Sequence, residues 1–153
     1  MKLSRIVLPI VALIASPAMA GSEVYIEQAG LKNIAEIQVE QASEGSAVNL
    51  RQQGGLNNAE ISTQGSDNQI IGQQRGAFNG AQVAQIGNQQ SASFYQDGFN
   101  NQAAINQGEA ALGSAATIFQ QGNNHNAQIS QQTAGSVASI TQRGNGAVAI
   151  IRQ

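Results

Sequence analysis

A short motif recurs at a nearly constant interval through this 153-residue chain. The tripeptide Gln-x-Gly occurs six times, and successive glutamines lie 24, 22, 22, 24 and 22 residues apart. A fixed period in this range is typical of solenoid proteins, in which each repeat stacks on its neighbours. Every interval is even, so a two-residue insertion keeps the alternation of inward and outward side chains. The motif glutamines are Gln28, Gln52, Gln74, Gln96, Gln120 and Gln142, and the glycines, expected in turns, are Gly30, Gly54, Gly76, Gly98, Gly122 and Gly144.

Each unit contains two segments in which apolar and polar residues alternate. In the second unit, Val48, Leu50 and Gln52 share one face before the glycine, and Asn57, Ala59 and Ile61 share one face after it. Period-2 alternation favours half-buried strands. The sequence therefore predicts an all-β fold, a β-solenoid of six strand–arc–strand repeats forming two facing parallel sheets. The repeats span about 22–41, 46–64, 68–85, 90–107, 114–131 and 136–153.

Amide side chains occupy fixed places in this pattern. Residues 21–153 contain 23 Gln and 14 Asn. A buried amide without a partner costs about 1–3 kcal/mol, but amides stacked at a repeat of about 4.8 Å can each donate to one neighbour and accept from the other. We therefore expect ladders that set the register and support self-assembly. Besides the six motif glutamines they comprise Asn33, Asn57, Asn79, Asn101, Gln85, Gln107, Gln131 and Gln153; His125 and Ala147 stand in the Asn column, and Val39 and Thr63 in the closing Gln column.

The first twenty residues have the features of an export signal. Lys2 and Arg5 precede an apolar run over 6–14, and Ala18-Met19-Ala20 is a small-residue cleavage site. This pattern predicts a secretory signal peptide over 1–20 and a repeat domain over 21–153, and it disfavours the alternative of a permanent N-terminal anchor. No later apolar stretch is long enough to cross a bilayer.

Composition argues against most enzymes and nucleic-acid binders. The chain has no Cys, one His and seven basic residues. Disulfides and thiolate metal sites are excluded, and we predict no catalytic residue, no metal ligand and no cofactor. So few cations disfavour binding to nucleic-acid phosphates.

The repeat resembles the curlin repeat, Ser-x5-Gln-x-Gly-x2-Asn-x-Ala-x3-Gln, over residues 22–153. This resemblance implies a subunit of curli, the bacterial extracellular amyloid fibres, which serve cell adhesion and biofilm matrix. It implies export through the periplasm and an outer-membrane channel to the cell surface, with export and assembly proteins and a companion curlin subunit as partners. The acidic balance and regular amide rows favour the major subunit over the minor, nucleating one. Unlike a typical major curlin, the chain has no Gly-rich segment after the cleavage site.

The repeat pattern also suggests how copies would join. Nothing in the first or last repeat resembles a cap, so we expect the sixth repeat to template the first repeat of the next molecule, giving a homopolymer. Two alternatives remain at this point: a monomeric secreted β-solenoid acting as an adhesin or binding module, and a disordered Gln/Asn-rich matrix protein. The strict phasing disfavours disorder.

Overall fold

A computed structural model describes residues 10–15, 21–40 and 44–153, the first of these ranges by its backbone alone. These residues contain thirteen β-strands joined by short turns, and none of the described residues lies in a helix that could span a membrane. The strands are β1 (Ile10–Ala15), β2 (Glu23–Leu31), β3 (Ile34–Val39), β4 (Ala47–Gly55), β5 (Asn58–Gln64), β6 (Gln69–Ala77), β7 (Gly80–Ile86), β8 (Ser91–Phe99), β9 (Gln102–Gln107), β10 (Ala115–Asn123), β11 (Asn126–Gln131), β12 (Val137–Asn145) and β13 (Val148–Arg152).

The strands form two parallel sheets in which each turn of the chain contributes one strand to each sheet. One sheet has the order β2-β4-β6-β8-β10-β12, and the other has the order β1-β3-β5-β7-β9-β11-β13. Equivalent repeat positions are paired without slippage: Gln52 pairs with Gln28 and Gln74, and Ala59 pairs with Ala35 and Ala81. The predicted all-β solenoid of six repeats in two parallel sheets is confirmed.

Strand β1 is the one strand that the repeat pattern did not predict. It lies in the segment that we assigned to the signal peptide, and it pairs in parallel with β3 in the register Ile10↔Ile34 to Ala15↔Val39. The rest of the predicted leader, 1–9 and 16–20, and Gln41 at the end of the first repeat, lie outside the described residues. The signal peptide stays a prediction.

The core between the sheets is built from the predicted small and branched columns. Ala35, Ala59, Ala81, Ala103 and Ala127 are buried, and so are Ile37, Ile61, Val83, Ile105 and Ile129 beside them. Their equivalents in the last turn, Ala149 and Ile151, are only partly buried because no further turn covers them. Side chains therefore alternate along each strand as the sequence predicts, with one face packed in the core and the other facing solvent.

The motif glycines, which we expected in turns, lie near the ends of strands, and the turns come after them. The first strand of each unit continues past the glycine, so that β4 ends at Gly55 and Leu56 alone separates it from Asn57. Gly54 and Gly76 have φ of +115° and +98°, and a Cβ on Gly54 would lie 2.0 Å from the carbonyl oxygen of Gly76. Only glycine fits both requirements.

The sequence did not reveal a second left-handed position two residues after each of these glycines. Leu56 and Phe78 adopt φ of 58° and 60° there. Non-glycine residues reach this region at a conformational cost. The other members are Lys32, Asn100, Asn124 and Gly146.

Candidate functional site: amide ladders and open edges

A continuous ladder of glutamine side chains runs through the core of the solenoid. Gln28 Nε2 donates to Gln52 Oε1, and the same bond recurs at every step to Gln142, with donor–acceptor distances of 2.7–2.9 Å after the first. Every bond has the same direction: the donor belongs to one turn and the acceptor to the turn that follows it in the sequence. The ladder therefore has a polarity along the solenoid axis.

The same amides connect the two sheets. Gln52 Nε2 also donates to the Ile34 carbonyl at 3.0 Å, and Gln120 Nε2 donates to the Gln102 carbonyl at 2.8 Å. Gln142 makes the equivalent bond, to the Asn126 carbonyl at 3.1 Å. Both amide hydrogens of each interior glutamine are thus used, one along the axis and one across the core, which removes the penalty of burying the amide.

The asparagine column fixes the turns that follow the glycines. Asn57 Nδ2 donates to the Gln53 carbonyl of its own turn and to the Gly76 carbonyl of the next, at 3.3 and 3.1 Å. Asn57 Oδ1 accepts from the backbone N–H of Asn79 at 3.1 Å. Asn33, Asn79 and Asn101 make corresponding contacts.

His125 takes the place of an asparagine in this column. Its Nδ1 accepts from the Ala147 N–H at 3.1 Å, and its Nε2 lies 3.2 Å from the Gln121 carbonyl. Asn57 Nδ2 makes the equivalent contact with the carbonyl of Gln53, which is also four residues earlier in the sequence. These two contacts require a neutral imidazole with the hydrogen on Nε2. The ring reproduces the acceptor and the donor of the missing amide, and we assign it a structural role.

The closing glutamines form a second, shorter ladder. Gln85 donates to Gln107, Gln107 to Gln131, and Gln131 to Gln153, at 2.8, 2.9 and 3.2 Å. Gln85 Oε1 is buried without a partner, because the preceding turn carries Thr63 in this column. The first turn carries Val39. This ladder therefore covers four turns of six.

A further polar column fixes the turns that lead into the first strand of each repeat. The repeat pattern contains this column, but we assigned it no role from the sequence. Asn68 N–H donates to Ser46 Oγ at 3.2 Å, and Gln90 N–H donates to Asn68 Oδ1 at 3.0 Å. Ser136 N–H donates to Ser114 Oγ at 3.1 Å. The signal was present in the sequence, since these residues precede the apolar run in each repeat at a constant offset.

The two ends of the main glutamine ladder complement each other. At the first turn, Gln28 Oε1 is buried and has no hydrogen-bond partner among the described residues. At the last turn, Gln142 Nε2 has the Asn126 carbonyl as its acceptor, whereas each interior glutamine also donates to the next turn. Strands β2 and β12 are the outermost strands of their sheet, so each has one unpaired edge. An unpaired parallel edge is a template for another strand.

The outer faces carry mixed side chains. Tyr95 and Phe119 stack at 4.9 Å between ring centroids, and Arg143 lies 5.7 Å from the Phe119 centroid. Burial raises the pKa of the Tyr95 hydroxyl, and the negative charge of Asp97 raises it further. On the other sheet an open groove of about 410 Å³ is lined by alanine and glycine residues and by polar side chains that include Glu60, Gln82 and Gln102.

Over the described residues, no three His, Cys, Asp or Glu side chains are grouped as metal ligands would be. Comparisons of the chain with protein-family models, with curated proteins and with solved structures found no match. The geometry of the ladders and of the two ends is therefore what bears on function.

Proposed function

We propose that this protein is a structural subunit of an extracellular amyloid fibre of the curli type, which grows when the last turn of one copy stacks on the first turn of the next. The observation that carries the proposal is that the two ends of the ladder complement each other. Gln28 Oε1 is an unpartnered acceptor at the first turn, and the amide donors of the ladder are directed toward the last turn. Adhesion and biofilm matrix are the roles that the curlin-like repeat adds, and they require export to the cell surface.

The internal register supports this stacking. Each glutamine pairs with the glutamine of the next turn, so continuing the same register places Gln142 of one copy beside Gln28 of the next. A bond from Gln142 Nε2 to Gln28 Oε1 satisfies the buried acceptor and extends the ladder across the junction. The same register stacks Ala149 on Ala35 and Ile151 on Ile37, covering the half-exposed apolar residues of the last turn.

In this proposal, strand β1 controls when the first turn can accept another copy. Its pairing with β3 covers one of the two edges at that end. Cleavage after Ala20 would remove β1 and leave β3 free to accept the β13 strand of another copy. Export and assembly are coupled in this proposal, because the processed chain has both edges open.

A glycine in the last turn offers a selective test. From Gly30 to Gly122, a Cβ on each motif glycine would lie 1.8–2.0 Å from the glycine carbonyl of the following turn, whereas at Gly144 it would meet nothing within 4 Å. Gly144→Ala strains the backbone of a single copy, where φ is +96°, but its Cβ meets another turn only once a second copy stacks on the last turn. Gly146→Ala is the matched control: it is in the same turn with φ of +71° and open space, and its equivalents Leu56 and Phe78 carry side chains.

The experiment is seeded growth of the chain from Gly21 onward, followed by thioflavin fluorescence and electron microscopy. We expect the wild type and Gly146→Ala to elongate fibres, and Gly144→Ala to elongate them poorly. Added in small amounts to wild type, Gly144→Ala should cap fibres, since its intact first turn still docks. This capping shows that the variant is folded. Wild-type chain that never forms fibres, or Gly144→Ala that elongates like Gly146→Ala, would contradict the proposal.

The groove lined by Glu60, Gln82 and Gln102 supports one alternative, a secreted module that binds a polar ligand such as a sugar. Amide and carboxylate side chains are suited to hydrogen bonding with hydroxyl groups. Sedimentation of the purified chain distinguishes the two functions: the alternative predicts a lasting monomer, and the fibre proposal predicts polymer.

A further inference from the structure

Charge is distributed unevenly along the solenoid axis. The first turn carries Glu23, Glu27, Glu36 and Glu40 against one cation, Lys32, whereas the only charged side chains in the last turn are Arg143 and Arg152. We call these two groups the acidic head and the basic tail. Residues 21–153 have five basic and nine acidic side chains, so the net charge is negative although the tail is positive.

We propose that the basic tail and the acidic head steer copies of this chain into head-to-tail contact, and that cross-junction ion pairs form between them. The inference rests on the proposed fibre function, and it names the partner surface as the acidic head of a second copy. Opposite charges on two docking faces raise the association rate and disfavour wrong orientations, here head-to-head and tail-to-tail.

The contacts within one copy indicate how the pairs would form. Arg51 lies opposite Glu27 of the preceding turn and pairs with its carboxylate at 2.8 Å. Arg143 lies opposite Gln121 but reaches diagonally to the Phe119 ring. In the continued register, Glu27 of the next copy takes the corresponding diagonal place on the open side of Arg143. One junction would then align Arg143, Glu27 and Arg51 in a stack of alternating charge.

The second tail arginine has partners on the other sheet. Arg152 pairs with Ser130 in the preceding turn. The same register places it opposite Gln38 of the next copy, with Glu36 and Glu40 as diagonal neighbours. Exposed ion pairs contribute little to stability, so we expect the effect mainly in the rate of elongation.

Salt dependence separates this inference from simple repulsion between copies. If net negative charge governs growth, added salt screens repulsion and elongation speeds up. If the head and tail attract, raising NaCl from about 20 to about 300 mM should slow seeded elongation by about threefold or more. An elongation rate that rises with salt would overturn the proposal.

Charge variants test the same point at constant salt. Arg143→Gln with Arg152→Gln removes the tail charge, and we expect a severalfold slower elongation. Gln53→Glu with Asn106→Asp is the matched control, because both residues are exposed in the middle turns and the net charge changes equally. Equal rates for the two double variants would overturn the proposal.

Mixing two charge variants gives a result that a purely structural role of these residues would not produce. A tail variant, Arg143→Glu with Arg152→Glu, and a head variant, Glu27→Lys with Glu36→Lys, should each elongate slowly alone. Their mixture should elongate faster than either, because each tail then meets a head of opposite charge. No gain on mixing would count against the inference while leaving the fibre proposal intact, whereas a wild type that never polymerises would defeat the fibre proposal itself.

Discussion

Phe94 occupies the space that Gly72 leaves empty in the neighbouring turn of the core. The two residues are paired in register on β6 and β8, and a Cβ on Gly72 would lie 2.3 Å from Phe94 Cζ. The core column is otherwise filled by residues such as Leu50 and Ile118. One large and one absent side chain thus replace two side chains of medium size.

This relationship predicts strong coupling between the two positions. Gly72→Val should destabilise the fold by about 1–3 kcal/mol through overpacking, and Phe94→Val should do so through the cavity that it leaves. The double variant should be less destabilised than the sum by at least about 1 kcal/mol. The denaturant midpoint of the β-sheet circular dichroism signal gives the four values, and additivity would contradict the packing described.

The interior ladder predicts a large penalty for losing one amide. Gln74→Leu removes the acceptor of Gln52 Nε2 and the donor to Gln96 Oε1, leaving buried polar atoms unpaired. We expect a loss of about 2–4 kcal/mol. Gln53→Leu, on the exposed face next to the ladder, should change stability by less than about 0.5 kcal/mol. Similar denaturant midpoints for the two variants would show that the ladder does not stabilise the fold.

His125 provides a test of amide mimicry. His125→Asn should retain the acceptor for the Ala147 N–H and restore an Nδ2 donor, so stability should be unchanged or higher. His125→Leu fills the site but leaves that N–H without its acceptor, and we expect a loss of about 1–3 kcal/mol. Hydrogen exchange at Ala147 measures this directly: it should be fast in the Leu variant and slow in the Asn variant. Equal protection in both variants would refute the assigned role.

The left-handed turn position predicts a stabilising change. Leu56 has φ of 58° and an exposed side chain, and asparagine adopts this conformation more readily than leucine. Leu56→Asn should raise the free energy of unfolding by about 1 kcal/mol. Leu31→Asn is the control, because Leu31 is exposed but lies in a strand. If both changes destabilise the protein equally, the conformational argument fails.

Much of the fold followed from the sequence because the repeat imposes its own register. The glutamine spacing and the Ala and Ile columns sufficed to predict six turns and two parallel sheets. The positive φ at Leu56 and Phe78 could not be predicted, since nothing in those residue types favours it. It arises because the strands continue past the glycines, leaving two residues to complete the turn. The compensation between Gly72 and Phe94 likewise depends on which residues face each other across turns.

The sequence predicted which residues form the candidate site but not which way their amide groups point. The columns of Gln and Asn indicated ladders, whereas the orientation of each amide, and so the unpartnered Gln28 Oε1, depends on carbonyls that the fold brings close. The polar column from Ser46 to Ser136 was visible as a recurring position, yet its bonds to the backbone become clear only when turns are stacked.

The central claim is that one solenoid continues from copy to copy, and fibre diffraction from aligned polymers of the chain from Gly21 onward tests it most directly. The account predicts a strong meridional reflection at about 4.8 Å and an axial subunit repeat of about 29 Å, which is six turns at that rise. Fibres without the meridional reflection, or a chain that remains a soluble monomer under all seeding conditions, would contradict it.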